Sequence, residues 1–207
     1  MSGSERAATG PARVGRRRLG AREGGAADVG DRWSWLAALG GGPMRLTAEN
    51  ASVEMSVRWL GGMIVRGVFR EVRGVIHVPR HDDENAAVTV EVAADSVRTG
   101  IALRDRHLRE PLFLDAAHHP TVTFRGGDVM RLPTHVAVPG SLTIRGVTRT
   151  EELRCPLDGF AAGPSLSGEV TLSRRAYGVG VPTGLRKLDP LFVVIGDDVR
   201  ISVIVRL

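Results

Sequence analysis

The chain has 207 residues, of which 43% are apolar and 4% aromatic, and it carries a formal net charge of +5. This length suffices for one domain with a sizeable core, and the scarcity of aromatic side chains disfavours base stacking on single-stranded nucleic acid. Residues 1–43 hold seven Arg and four acidic residues, which leaves 21 basic and 19 acidic residues in the rest. Because that remainder is close to neutral, we expect no nucleic-acid partner.

Residues 1–43 are rich in Gly, Ala and Arg and show no hydrophobic periodicity. Such a composition buries too little apolar surface to offset the entropy lost on ordering, so we predict a disordered N-terminal tail followed by one domain over residues 44–207. No stretch approaches the ~20 apolar residues of a membrane-spanning helix. Arg16, Arg17 and Arg18 are not followed by the apolar stretch of a secretory signal, so we expect a cytoplasmic location.

After Met44, apolar and polar residues alternate in a series of short segments, which is the pattern of half-buried strands. In chain order, the predicted strands cover 52–59, 65–78, 88–94, 121–125 (extending toward 129), 135–144, 151–157, 166–172 and 199–205. Gly67 and Gly74 inside the second segment indicate bends or bulges where the sheet curls. A charged, turn-rich stretch separates the third and fourth strands, and it predicts a short helical insertion around residues 100–110.

Eight antiparallel strands can close on themselves and so remove their unpaired edges. We therefore predict an all-β fold, mainly an eight-stranded antiparallel barrel, with a β-sandwich as the alternative. The interior of such a barrel is either filled by side chains or holds one small ligand. Its inward face here is mostly Val, Leu, Ile, Met and Phe, so any ligand would be apolar.

Large or adaptable apolar side chains on the inward face are the candidates for lining a cavity. Core packing is the alternative interpretation for each of them taken singly. The candidate cavity residues are Met55, Val57, Trp59, Phe69, Phe113, Phe124, Leu142 and Ile144.

Three polar residues of the helical insertion, Arg104, Asp105 and His107, allow more than one interpretation. A structural ion pair or a helix start is favoured over a ligand contact, although a guanidinium is well suited to bind a diphosphate. A carboxylate beside an imidazole also suits acid–base catalysis, which is the least favoured interpretation. We name Arg104, His107 and Tyr177 as candidate contacts for a polar head group, and we name no catalytic residue.

The sequence predicts neither a metal site nor a cofactor. His118 and His119, with Asp115 and His107, do not have the spacing of metal ligands, and the acidic run at 81–84 does not match a calcium-binding loop. The Gly-x-Ser-x-Gly, Gly-x-x-x-x-Gly-Lys-Ser/Thr and His-Glu-x-x-His motifs are absent. The single cysteine, Cys155, lies in an alternating segment and is expected to be a buried, inert thiol.

Several short motifs, weak one by one, occur in an order and spacing that resemble a known family. They are Ser52-Val53, Gly67, Phe69, Thr99-Gly100, Arg104-Asp105, His107-Leu108, Phe113, Asp115, Pro120, Phe124, Gly140, Leu142-Thr143-Ile144, Gly146-Val147-Thr148-Arg149, Arg174, Tyr177-Gly178 and Asp198-Val199. Over roughly residues 45–207 the chain is similar to the YceI-like family, the lipocalin-like polyisoprenoid-binding domain. Ala176 and Tyr177 depart from its pattern, which often has an acidic residue followed by Phe.

This resemblance implies an extended, lipocalin-like barrel of eight antiparallel strands with a helical segment. It also implies a long hydrophobic channel for a polyisoprenoid chain, such as a prenyl diphosphate or an isoprenoid quinone. We therefore expect a non-enzymatic protein that sequesters or transports an isoprenoid or another long-chain apolar ligand. The alternatives are an interaction module with a side-chain-filled barrel and an enzyme that uses Asp105 and His107 on a hydrophobic substrate. A homodimer that shelters an apolar mouth is also left open.

Overall fold

The computed structural model of the protein describes residues 41–59, 62–80, 85–157, 165–180 and 195–207. Of the tail predicted over residues 1–43, only the last three residues are included, and two of them, Gly42 and Pro43, already belong to the first strand. The rest of that tail and the acidic run at 81–84 lie outside the described residues.

The described residues form one antiparallel sheet that is interrupted by a single α-helix. The strands are β1 (Gly42–Thr47), β2 (Ala51–Arg58), β3 (Ile64–Phe69), β4 (Val72–Val78), β5 (Ala87–Ala93), β6 (Val97–Arg98), β7 (Thr121–Gly126), β8 (Met130–Arg131), β9 (His135–Ile144), β10 (Val147–Pro156), β11 (Ser165–Ser173) and β12 (Asp198–Arg206). The helix, α1, spans Ala102–Arg109, and two 3₁₀ helices cover Ala94–Ser96 and Arg174–Tyr177.

The strands are ordered β1-β4-β5-β7-β9-β10-β11-β12-β2-β3-β6, and β8 pairs with β9 at the side of this path. The sheet is curled and not flat. Side chains of β5, β9 and β12, which are not neighbours in this order, pack into one hydrophobic core. The result is a curled half-barrel. The predicted mainly all-β, antiparallel, lipocalin-like fold with a helical insertion near residues 100–110 is confirmed.

The predicted number of eight strands is wrong in detail, because the structure divides the sheet into twelve segments. The stretch predicted as one strand over 65–78 is two strands, β3 and β4, with a break at Arg70 and Glu71. There the backbone N–H of Arg70 donates to the Ser96 carbonyl (3.2 Å), and the N–H of Glu71 donates to Ser96 Oγ (3.2 Å). The first strand, β1, was not predicted at all.

The glycines taken as bends lie inside β3 and β4 and serve close packing instead. A Cβ atom at Gly74 would lie 2.1 Å from the Thr89 carbonyl oxygen, and one at Gly67 would lie 3.1 Å from the Thr99 methyl group. These two positions therefore allow neighbouring segments to approach closely.

The tight turn between β9 and β10 lies close to the second 3₁₀ helix. Its two residues, Arg145 and Gly146, both have positive φ (51° and 74°), as a two-residue hairpin turn that matches the twist of the strands requires. The Arg145 side chain donates to the carbonyl of Gly178, the residue that follows that helix.

Candidate functional site

The curled sheet encloses a cavity of about 640 Å³, a volume within the range of small-molecule binding sites. Its wall consists of side chains from α1, from the second 3₁₀ helix, from several connecting segments and from the strands β2, β3, β5, β7, β9, β10, β11 and β12. Among its described lining residues only five, Trp59, Arg104, His107, Arg174 and Tyr177, carry a polar side-chain group. The alternative of a barrel filled by its own side chains is therefore wrong, because that alternative required an interior without a void.

All eight side chains predicted to face a cavity lie in this wall. They are Met55, Val57, Trp59, Phe69, Phe113, Phe124, Leu142 and Ile144. Four of the eight are buried within the protein and four are half-buried, and five of them, Met55, Phe69, Phe124, Leu142 and Ile144, also belong to the hydrophobic core. Their contact with a ligand stays a prediction.

The wall contains many residues that the sequence analysis did not single out. Beyond the predicted set, β5, β7, β11 and β12 contribute further aliphatic side chains: Val90, Val92, Val122, Val170, Leu172, Val199, Ile201 and Val203. The sequence pattern could have identified most of them, since they occupy alternate apolar positions of strands that were predicted from this alternation.

The helix α1 is anchored beside the cavity by a hydrogen-bonded cluster around Thr99. Asp105 accepts hydrogen bonds from the Thr99 backbone N–H (2.7 Å) and from Thr99 Oγ1 (2.5 Å). Arg104 donates from Nε to Thr99 Oγ1 (2.8 Å) and from its terminal nitrogen to the Thr99 carbonyl (2.8 Å). Gly100, with φ of 82°, turns the chain from β6 into the helix. Arg104 and Asp105 thus meet through Thr99 and not as a direct ion pair.

The electrostatics of this cluster favour an ionised Asp105. Burial alone would raise the pKa of this carboxyl, but the two hydrogen bonds from Thr99 lower it, and so do the charges of Arg98 and Arg109. The net effect is a pKa below the ordinary value. Asp105 therefore acts as a charged acceptor that fixes the start of the helix.

His107 lies on the exposed side of α1, at the border of the cavity. Residues two apart on a helix point in different directions, and Asp105 is buried and bonded to Thr99. This arrangement does not orient His107 through Asp105, so it does not support the acid–base pair that the enzymatic alternative required.

Tyr177 is fully buried, and its ring lines the cavity. Its hydroxyl donates to Glu151 Oε1 (2.8 Å) on β10. Burial raises the pKa of this hydroxyl, and the hydrogen bond to the carboxylate and the negative charge of Glu151 raise it further. This contact fixes the second 3₁₀ helix to the sheet, at the position where Tyr177 departs from the sequence pattern of the resembled family.

Arg174 is a residue of the cavity wall whose role the sequence analysis missed. Its buried guanidinium donates to the carbonyl oxygens of Val179 (2.8 Å), Ile195 (3.0 Å) and Gly196 (2.9 Å). It therefore holds together two parts of the chain that are separated by residues 181–194. No local pattern could indicate this, because the partners are backbone groups brought together by the fold.

Asp197 strengthens the same junction. It accepts from Ser173 Oγ (2.8 Å) and from the Arg175 backbone N–H (3.1 Å). Burial would raise its pKa, but these hydrogen bonds and the charges of Arg175 and Arg174 outweigh the burial and lower it.

The histidines considered as metal ligands are engaged differently. His118 Nδ1 lies 2.8 Å from Asp115 Oδ1, and His119 Nε2 lies 4.0 Å from Asp115 Oδ2. Within the part of the chain that the structure describes, no group of three or more His, Cys, Asp or Glu residues is arranged to hold a metal ion.

A second, smaller and mostly apolar chamber of about 100 Å³ lies beside the main cavity, with which it shares three lining residues. Cys155 is among its lining residues, and burial raises the pKa of this thiol to about 11. At neutral pH the thiol is therefore protonated, which agrees with the expected inert character.

The fold and the cavity define a class of protein: an antiparallel half-barrel around an apolar internal space. Comparison with known families identifies the group within that class. The family model of the YceI-like domain matches residues 44–207, and the chain belongs to this family.

The relatives with known sequences include several bacterial UPF0312 proteins. The chain is 26% identical over 158 residues to one from Pectobacterium atrosepticum, covering 73% of this chain and 82% of the relative. It is 32% identical over 135 residues to one from Yersinia pseudotuberculosis, covering 60% and 69%.

Solved structures share the fold at low identity. BcnA of Burkholderia cenocepacia matches with a TM-score of 0.60 at 17% identity, covering 74% of this chain and 94% of that one. A polyisoprenoid binding domain from Saccharophagus degradans, implicated in plant cell wall breakdown, matches with a TM-score of 0.53 at 17% identity, covering 78% and 95%. Among the described residues, no helix is both long enough and apolar enough to cross a membrane.

Proposed function

We propose that this protein binds an isoprenoid-type lipid in its internal cavity, and thereby sequesters or transports it. The observation that carries this proposal is the nearly continuous apolar wall around a space of about 640 Å³. An empty apolar space of this size is costly, because its lining atoms lose packing contacts. A long hydrocarbon chain would restore those contacts.

The energetics favour a ligand that is mostly hydrocarbon. Each methylene buried in such a wall contributes about 0.8 kcal/mol, against an association cost of several kcal/mol. A long tail therefore binds without many polar contacts. The wall offers few of them, which fits a ligand whose polarity is confined to one end.

The structural neighbour from Saccharophagus degradans supports an isoprenoid as the ligand class, since that protein is described as a polyisoprenoid binding domain. We assign a prenyl diphosphate or an isoprenoid quinone to this chain. The branched tail of either ligand could pack against the Val, Leu, Ile and Phe side chains of the wall.

The head group of the ligand would lie near α1, where the polar lining residues Arg104 and His107 border the cavity. Ile101 and Leu103, each 53% exposed, stand beside them and mark this end as the mouth. Tyr177 would contribute its ring, because its hydroxyl already donates to Glu151.

The test is native mass spectrometry of protein purified without detergent, followed by organic extraction and identification of any lipid. We expect a co-purified isoprenoid, and we expect added prenyl lipids or quinones to raise the melting temperature of lipid-free protein. If no lipid co-purifies and none of the added lipids shifts the melting temperature, the proposed function is wrong.

Two substitutions at adjacent positions of β11 test whether a lipid binds inside the cavity. Val170 lines the cavity, whereas Thr171 is exposed on the other face of the same strand. Val170→Phe should reduce lipid binding by occupying the space, and Thr171→Phe, the matched control, should leave it unchanged. Equal binding by both variants would place the ligand outside the cavity.

A further inference from the structure

The second, smaller chamber lies on the same axis as the main cavity. Along β12, Val199 and Ile201 line only the main cavity, Val203 lines both spaces, and Val205 lines only the second chamber. At about 3.4 Å per residue, the main cavity extends roughly 14 Å along this strand, and Val205 lies about 7 Å further on.

The neighbouring strands show the same order. On β9, Leu142 and Ile144 line the main cavity, whereas Val136 and Val138 line the second chamber. Val136 is 1% exposed and Val205 is 3% exposed. The second chamber is therefore a mostly apolar extension of the main cavity at the end away from α1.

Three side chains separate the two spaces, because Val90, Leu153 and Val203 line both of them. They come from β5, β10 and β12, so the boundary between the two spaces is formed by three strands of the curled sheet. We call these three side chains the partition.

Leu153 occupies space that is open because Gly168 has no side chain. Its Cγ atom would lie 2.9 Å from a Cβ atom at Gly168, and Gly168 is paired with Val203 on β12. Leu153 thus lies over a glycine and reaches toward Val203. Since leucine has several rotamers, it is also the partition side chain that can turn aside most readily.

We propose that the second chamber is a subsite for the terminal segment of a long isoprenoid tail, and that the partition discriminates ligands by tail length. Short tails end at the partition. Longer tails displace the Leu153 side chain and continue into the second chamber. This inference rests on the proposed function, because it concerns the far end of the same ligand.

The partition opposes the gain from a longer tail. Each additional buried methylene is worth roughly a fourfold increase in affinity, but a tail that crosses the partition must first move Leu153 out of its packed position. Removing that obstacle should therefore increase affinity for long tails and leave affinity for short tails nearly unchanged.

The experiment measures the dissociation constants of farnesol, geranylgeraniol and geranylfarnesol, which share a hydroxyl head and differ only in the number of isoprene units. The first variant is Leu153→Ala. Val72→Ala is its control, because Val72 is likewise a buried aliphatic residue but lines neither space. The melting temperature of each variant, measured without lipid, reports whether it folds.

We expect Leu153→Ala to raise the affinity for geranylfarnesol relative to farnesol on the order of tenfold, and Val72→Ala to change this ratio less than about threefold. Val203→Phe enlarges the partition, so it should weaken geranylfarnesol binding and preserve farnesol binding. If Leu153→Ala does not fold, Val203→Phe alone tests whether the partition discriminates tail length.

Two negative outcomes have different meanings. If the wild-type protein binds none of the three alcohols and no other prenyl lipid, the proposed function is overturned and this inference with it. If all three alcohols bind, but neither Leu153→Ala nor Val203→Phe changes their affinity ratio, the proposed function stands and the length discrimination is wrong.

Discussion

The hydroxyl of Tyr177 and the carboxylate of Glu151 form a contact between residues 26 positions apart, at the wall of the cavity. A hydrogen bond to a charged partner contributes about 1.5–3 kcal/mol in favourable cases. Glu151 is half-buried, so water compensates part of its loss. We predict that Tyr177→Phe lowers the free energy of unfolding by about 1–2 kcal/mol, as measured by urea denaturation.

A double-mutant cycle provides the control for this prediction. Glu151→Gln weakens the acceptor, and the combined variant should be less destabilised than the sum of the two single variants, since both remove the same contact. Strict additivity would mean that the hydrogen bond does not contribute to stability.

At the scale of elements, the second 3₁₀ helix is joined to the start of β12 by Asp197. Because the folded protein holds the pKa of Asp197 below its ordinary value, the carboxylate contributes stability above an unfolded-state pKa of about 3.9. As the pH falls, the folded state takes up a proton later than the unfolded state does. The contribution is therefore lost as the pH falls through the lowered folded-state pKa.

We predict that Asp197→Asn destabilises the protein at neutral pH, and that the difference from wild type shrinks below about pH 4. The measurement is the urea midpoint from pH 3 to pH 7. Asp198→Asn is the matched control, because the adjacent Asp198 is exposed. A difference between wild type and Asp197→Asn that stays constant over this range would exclude the carboxylate charge as its cause.

Most strands could be predicted from the sequence, because a period of two is a local property. Residues 88–94 and 199–205, for example, closely match β5 and β12. The break at Arg70 and Glu71 could not be predicted, because it is fixed by Ser96, a residue 25 positions later than Glu71. Similarly, β10 begins at Val147, four residues before the predicted strand. This extension could not be predicted, because residues 147–150 are exposed and mostly polar, so they show no alternation of apolar and polar residues.

At the scale of the whole molecule, the sequence indicated which residues face inward but not whether the interior is hollow. Six of the eight predicted wall residues lie on strands and share one cavity because alternation along a strand determines the face of each side chain, whereas Trp59 and Phe113 lie outside the strands. The volume of the cavity depends on how closely distant segments pack, as at Gly74 against Thr89 and at Gly168 against Leu153, which no local pattern determines. The anchoring of the mouth by Arg174 and Thr99 is likewise a consequence of the assembled fold.

A wall that is almost entirely apolar determines how binding should respond to salt and to the head group. If tail burial dominates the affinity, geranylgeraniol and geranylgeranyl diphosphate should bind with dissociation constants within about tenfold of each other, which corresponds to 1.4 kcal/mol. Raising the salt concentration should weaken neither by more than a few-fold, because screening acts on exposed charges. Isothermal titration calorimetry at several temperatures should show a negative heat-capacity change. A diphosphate that binds far more tightly than the alcohol, with an affinity that falls steeply with salt, would instead assign the main contribution to the arginines near α1.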